Sequence, residues 1–153
     1  MWGLFVASVL AGAPASPLDR YRTAPVPVQA GDPFLWAAEP VSAVVGRPTT
    51  AKLRLVVPPG YRIYRDQVEV VGVGVAGLVV GVAGLPPGKL IDDGEGGVRE
   101  GYDADVTVSV PITASRAGSL PLRFDVRHQG CRTGLCYPSV ASSVTTTVAA
   151  AVK

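Results

Sequence analysis

The chain of 153 residues is poor in the residue types that carry most protein chemistry, with two cysteines, one histidine and one methionine. Charged side chains are also sparse, at 17% of residues, and the 14 basic and 12 acidic ones form no cluster. Without a basic patch or basic helix, nucleic-acid binding has no support, and neither has attachment to an anionic membrane surface. Because apolar residues make up 48% of the chain, a highly charged disordered protein is excluded as well.

The usual helix formers Glu, Lys, Gln and Met are scarce, whereas Val is abundant. No segment keeps a 3.6-residue apolar period with capping residues, so no helix is predicted. Instead, 18 glycines and 14 prolines interrupt short apolar runs, a composition typical of strands and turns. A chain of this length is expected to form one domain with its own core, preceded by an N-terminal extension.

Residues 1–15 read MWGLFVASVLAGAPA, an uncharged apolar run of export-signal length that ends in small residues. We interpret them as a signal peptide, the alternative being a buried first strand. Residues 16–31 are rich in proline and predict an extended lead-in, so the domain itself is expected to occupy residues 32–153. A second apolar run, residues 70–85, is shorter than the roughly 20 residues of a membrane helix, and we assign it to the core.

Apolar and polar residues alternate strictly in three segments, which indicates half-buried strands. Further short apolar runs predict additional strands, whereas the polar interval 89–103 is expected to be a long loop of the kind that often carries function. About eight strands joined by Pro and Gly turns predict an all-β fold, an antiparallel immunoglobulin-like sandwich or a small barrel. The alternating segments are residues 50–57, 104–113 and 119–128, and the other predicted strands are 41–45, 61–64, 68–75, 78–82 and 140–152.

Both cysteines lie in the segment HQGCRTGLCYPS, directly after the last alternating segment. In an exported protein, an even cysteine count predicts a disulfide, here between Cys131 and Cys136. A ring this small stabilises a fold by only about 2 kcal/mol, which makes it a poor structural staple. Local chemistry nevertheless leaves three alternatives open: thiol–disulfide exchange, a structural staple, and, third, metal binding with His128.

Three basic side chains near Cys131 are close enough in sequence to stabilise a thiolate: Arg127, His128 and Arg132. His128 also continues the apolar face of its strand, and a satisfied buried imidazole is therefore an equal alternative.

Three sequence blocks, in order, resemble a known family: GYRIYRDQ at residues 60–67, LPPG at 85–88 followed by an acidic loop and Tyr102, and QGCRTGLCYP at 129–138. The chain resembles the N-terminal periplasmic domain of DsbD-type thiol:disulfide interchange proteins. The resemblance implies an immunoglobulin-like sandwich, located in the periplasm, that acts as a component of a protein-disulfide reductase system. It also implies electron relay between a membrane reductase and periplasmic thioredoxin-like proteins, without a bound cofactor.

The same resemblance implies roles for individual residues. Cys136 would form the mixed disulfide with partners and Cys131 would resolve it, while Tyr64 and Tyr137 would support the site. An ordinary strand aromatic is an equal alternative for Tyr64. The family's loop facing the cysteines corresponds to the segment beginning with Asp92 and Asp93, but its shielding aromatic residue is missing from DDGEGG here. We therefore expect a more exposed disulfide. We also expect either that separate polypeptides supply the membrane and thioredoxin-like parts or that the domain serves another purpose.

Overall fold

The computed structural model describes residues 32–153; the expected signal peptide and lead-in lie outside the described residues. Within this part of the chain the regular structure consists of strands alone. In chain order they are β1 (Leu35–Ala38), β2 (Val41–Val44), β3 (Thr49–Val56), β4 (Tyr61–Gly74), β5 (Leu78–Val80), β6 (Lys89–Asp92), β7 (Val98–Tyr102), β8 (Val106–Ala114), β9 (Gly118–Arg132), β10 (Leu135–Cys136) and β11 (Val140–Ala151).

The strands form two sheets that enclose one apolar core. One sheet has the order β1-β3-β8-β5, and the other has the order β2-β11-β9-β4-β7-β6, with β10 added beside β9. Neighbouring strands are antiparallel except β2 and β11, which run parallel. The predicted immunoglobulin-like sandwich is therefore confirmed.

Alternation along β3, β8 and β9 places every second side chain between the sheets, as predicted from the sequence. Phe124 is the largest of the fully buried side chains, and truncating such a residue to alanine typically costs about 3–5 kcal/mol. The buried positions of the three strands include Ala51, Leu53, Leu55, Val106, Val108, Val110, Ile112, Leu120, Leu122, Phe124 and Val126.

The apolar run at residues 70–85 is mostly outside the core, which corrects the assignment made from its composition. Val71, Val79 and Val82 are 59%, 66% and 89% exposed, whereas Leu78 is buried. The reason is topological, because β5 is an edge strand and only one face of this part of β4 meets the core. None of the described residues belongs to a helix with the length and apolarity needed to cross a membrane.

Two further expectations are wrong in ways that shape the site. The predicted strands 61–64 and 68–75 are one strand, β4, whose pairing with β9 shifts register between Ile63 and Val68. The interval 89–103 contains the hairpin β6–β7 rather than a long loop, and this hairpin joins the sheet where Tyr64 pairs with Gly101. Gly101 permits the close approach, because a Cβ there would lie 2.7 Å from the Ile63 carbonyl oxygen.

Candidate functional site: a disulfide across an edge hairpin

The predicted disulfide joins two directly opposed residues of a short hairpin. β9 continues through Cys131, the chain turns at Thr133 and Gly134, and Cys136 returns beside Cys131 in β10. The two Cα atoms are 4.0 Å apart. Because the Tyr137 amide donates to the Gly130 carbonyl at the next position, at 2.9 Å, the cysteines occupy a non-hydrogen-bonded pair, where facing residues are closest.

The two cysteines differ sharply in accessibility. Cys131 is 2% exposed because it lies inside the sheet, between β4 on one side and β10 on the other. Cys136 is exposed, on a two-residue strand that pairs only with β9. The expectation of an exposed disulfide therefore holds at Cys136 and not at Cys131.

A cavity of about 120 Å³ lies against the disulfide on the outer face of the larger sheet. It is smaller than the roughly 300 Å³ at which small-molecule pockets begin. Side chains of four strands line it: Tyr64 and Gln67 of β4, Arg99 of β7, Gln129 and Cys131 of β9, and Cys136 of β10.

Tyr64 links β4 to the β6–β7 hairpin beside the disulfide through a hydrogen bond. Its side chain is buried, and its hydroxyl donates to the Asp92 carbonyl at 3.2 Å. The Arg99 guanidinium carbon lies 4.1 Å from the centre of the Tyr64 ring, a cation–π contact, and Arg99 also donates to Asp66 at 2.6 Å. Sequence reasoning placed Tyr64 at the site but missed Arg99, since no local pattern links residue 99 to the cysteines.

The carboxylates of Asp92 and Asp93 are turned into their own loop. Asp92 accepts a hydrogen bond from the Gly94 amide at 2.7 Å, and Asp93 accepts bonds from the amides of Glu95 and Gly97 at 2.8 and 3.0 Å. The hydrogen bond from the Glu95 amide, which has the larger effect, and the one from the Gly97 amide hold the pKa of Asp93 below its ordinary value. Both residues thus shape the hairpin tip, and neither lines the cavity.

The hairpin tip is expected to loosen in acid. Because folding lowers the pKa of Asp93, its stabilising contribution is complete above the ordinary carboxyl pKa of about 3.9 and is lost as pH falls through the lower folded value. Amide chemical shifts of Glu95 and Gly97 should follow one titration with a midpoint below about 3.9. Asp93→Asn serves as the control and should abolish it; an unchanged titration in that variant would contradict the assignment.

His128 lies on the opposite face of β9 from Cys131, 3% exposed in the core. The Trp36 indole N–H donates to His128 Nδ1 at 2.9 Å, and His128 Nε2 lies 2.7 Å from Asp32 Oδ2. An indole nitrogen is only a donor, so Nδ1 carries no proton, and the neutral ring donates from Nε2 to Asp32. With both ring nitrogens engaged on the face away from Cys131, His128 matches the satisfied buried imidazole, which was one of the alternatives that the sequence left open.

Aromatic rings pack behind the hairpin on the inner face. Phe34 meets Tyr61 edge-on with ring centres 5.9 Å apart, and Tyr61 lies 6.2 Å from the half-buried Tyr137. Phe34 occupies the space that a side chain at Gly130 would need. Tyr137 therefore supports the hairpin from the inner side, and the cluster escaped sequence reasoning because its members are distant in the chain.

Fold and site together define a class: an immunoglobulin-like sandwich with a disulfide in an edge hairpin, one cysteine buried and one exposed. Such a pair fits a thiol–disulfide exchange module. The family model described as "Thiol:disulfide interchange protein DsbD, N-terminal" matches residues 34–148, and the chain belongs to this family.

The chain is also similar to individual proteins. The chain is 32% identical over 87 residues to the thiol:disulfide interchange protein DsbD of Tatumella citrea, covering 56% of this chain but only 14% of that protein. The fold is similar to that of one chain in the structure of the complex between the DsbD and PilB N-terminal domains from Neisseria meningitidis. The TM-score is 0.53 at 20% identity, and the match covers 73% of this chain and 80% of that chain. The reduced DsbD N-terminal domain of the same organism gives a TM-score of 0.46 at 22% identity, covering 63% and 80%.

Proposed function

We propose that this domain is a periplasmic thiol–disulfide exchange module that passes electrons between thioredoxin-like proteins and a membrane reductase. The Cys131–Cys136 pair is the redox centre, and no bound cofactor takes part. The observation that carries the proposal is the accessibility difference, with Cys136 exposed and Cys131 2% exposed. The complex of the DsbD and PilB N-terminal domains supports a second protein domain as the partner.

The unequal exposure assigns a role to each sulfur. When the disulfide is reduced, a partner thiolate attacks Cys136 Sγ, a new disulfide forms between partner and Cys136, and Cys131 Sγ leaves as a thiolate. The partner's second thiolate then attacks the partner's first sulfur in that mixed disulfide. The partner becomes oxidised, and Cys136 is released as a thiolate. Two electrons thereby move from the partner to this domain, and the reverse sequence oxidises the domain again.

Backbone pairing holds the hairpin on both sides of the disulfide. Arg132 pairs with Leu135, and the Tyr137 amide bonds the Gly130 carbonyl on the other side of the cysteines. Because the covalent ring is short, it adds only about 2 kcal/mol to a hairpin already held by backbone bonds. Exchange chemistry therefore explains the cysteine pair better than stapling does.

Two single-cysteine variants test the roles. Cys131→Ala leaves the exposed Cys136, and the partner is a thioredoxin-like domain whose second active-site cysteine is replaced by alanine and whose first is activated as a mixed disulfide with thionitrobenzoate. The Cys136 thiolate should displace thionitrobenzoate, and a mixed disulfide between the two proteins should accumulate. Cys136→Ala leaves only the buried thiol, and we expect at least about a tenfold smaller yield on non-reducing gels. Each variant has lost the same disulfide, so each controls for the stability of the other.

Equal trapping through Cys131 alone would contradict the assignment of Cys136 as the point of attack. Trapping by neither variant would instead leave a structural disulfide in a non-catalytic interaction domain as the better interpretation.

A further inference from the structure

Arg62 stands directly opposite Cys131 in the neighbouring strand, because β4 and β9 pair at Arg62 and Cys131. Directly opposed residues point to the same face of a sheet, with Cβ atoms about 5 Å apart. Arg62 is half-buried, and its guanidinium reaches the hairpin tip, where Nη2 lies 3.8 Å from the position of a Cβ on Gly94. The side chain of Arg62 thus starts next to Cys131 on the same face of the sheet and extends toward the hairpin tip.

The Nε atom of Arg62 is shielded from solvent and has no hydrogen-bond partner within residues 32–153. A buried donor on a charged group is costly to leave unpaired, and such a group calls for an explanation. In the present oxidised state the nearest opposed side chain carries a disulfide sulfur, which is a weak acceptor. Reduction converts Cys131 Sγ into a strong acceptor for a charged donor.

We propose that Arg62 stabilises the negative charge that develops on Cys131 Sγ when a thiolate attacks Cys136 and the disulfide bond breaks. The proposal rests on the exchange function above and adds a positioning residue to it. A thiolate at a site 2% exposed loses most of its solvation, which disfavours the leaving group unless a cation is already in place. A preorganised guanidinium stabilises that charge as it develops and so accelerates the opening of the disulfide.

The other cations near the cysteines are engaged or turned away. Arg99, across the cavity, is bonded to Asp66 and stacked on Tyr64. Arg127 is exposed and lies 3.8 Å from Glu69. Alternation places Arg132 on the opposite face of β9 from Cys131.

Charged groups on the β6–β7 hairpin, which Arg62 reaches, do not neutralise the charge of Arg62. Asp92 and Asp93 are bound to amides of their own loop, and Glu95 is exposed at its tip. Lys89 of β6 is paired with Asp103. Among the described residues, Arg62 has no ion-pair partner, and its guanidinium carbon lies 6.0 Å from the centre of the Tyr64 ring, farther than that of Arg99 at 4.1 Å. An ion pair between Arg62 and a thiolate at Cys131 would therefore displace no other ion pair.

The test is a thiolate titration in a Cys136→Ser background, where Cys131 is the single thiol and its ultraviolet absorbance reports ionisation without a partner. Adding Arg62→Gln should raise the midpoint by about one pH unit, whereas Arg62→Lys should restore part of the difference. The matched control is Arg123→Gln, which removes the same charge from an ion pair with Asp125 farther along β9. We expect Arg123→Gln to leave the midpoint unchanged.

In the chain with both cysteines, Arg62→Gln should slow reduction by dithiothreitol several-fold, up to about tenfold, while Arg123→Gln should not. An unchanged midpoint in Arg62→Gln, or an equal rise in Arg123→Gln, would overturn the proposal. Because neither measurement needs a thioredoxin-like partner, failure of trapping would reject the relay and leave the result for Arg62 readable. Normal trapping with an unchanged midpoint would reject Arg62 alone.

Discussion

Replacing Gly130 with alanine is expected to destabilise the domain by about 3 kcal/mol, although the change adds a single methyl group. A Cβ at this position would lie 2.0 Å from Phe34 Cε2 and Cζ, closer than any real contact. Phe34 is 4% exposed, so the ring must leave its place or β9 must shift beside Cys131. Urea denaturation of the oxidised protein, with the midpoint and slope compared to the unmodified chain, measures the loss.

A control and a rescue separate this clash from a general intolerance of alanine. Gly84→Ala meets only the Ser109 carbonyl oxygen, at 3.6 Å, and should change stability by less than about 0.5 kcal/mol. Phe34→Ala combined with Gly130→Ala should cost less than the sum of the two single changes, by at least about 1 kcal/mol. Additive losses would show that Phe34 is not the group that Gly130 accommodates.

The second large effect is expected at His128, where leucine should lower the free energy of unfolding by about 3 kcal/mol. Leucine is similar in bulk but leaves the Trp36 indole N–H and the Asp32 carboxylate without the partners that they have at 2.9 and 2.7 Å. Urea denaturation measures the loss of stability, and tryptophan fluorescence reports the change around Trp36.

Trp36→Phe provides the matched comparison, because it removes one donor and leaves the His128–Asp32 contact in place. We expect it to cost about 1 kcal/mol, clearly less than His128→Leu. If His128→Leu were as stable as the unmodified chain, the hydrogen bonds would contribute little, and packing alone would explain the buried ring.

The sandwich could be predicted because its central strands obey a local rule. In β3, β8 and β9, burial of every second residue follows directly from apolar alternation, as at Leu53, Val108 and Leu122. The β6–β7 hairpin could not be predicted in this way, because its Gly and Asp residues have low strand propensity. Its pairing depends on the close approach at Gly101, which only the folded sheet reveals.

Some features of the site could likewise be predicted from the sequence, and others depend on the folded sheet. The disulfide follows from cysteine count and context, and the roles proposed for Cys131 and Cys136 rest on family resemblance. Their unequal exposure does not, since it arises where β4 and β10 flank β9. The hydrogen-bond partners of His128 could not be predicted either, because Asp32 and Trp36 precede it by 96 and 92 residues in the chain.

The anchoring of β9 has a thermodynamic consequence for any partner that docks at Cys136. This strand is hydrogen-bonded to β11 along most of its length and packs Gly130 against Phe34 immediately before Cys131. Under the proposed function, β9 is already fixed in the unbound domain, and little of its conformational entropy would be lost when a partner docks. We expect calorimetry of a mixed-disulfide mimic to show a heat-capacity change set by the area covered, without the larger decrease that accompanies folding on binding.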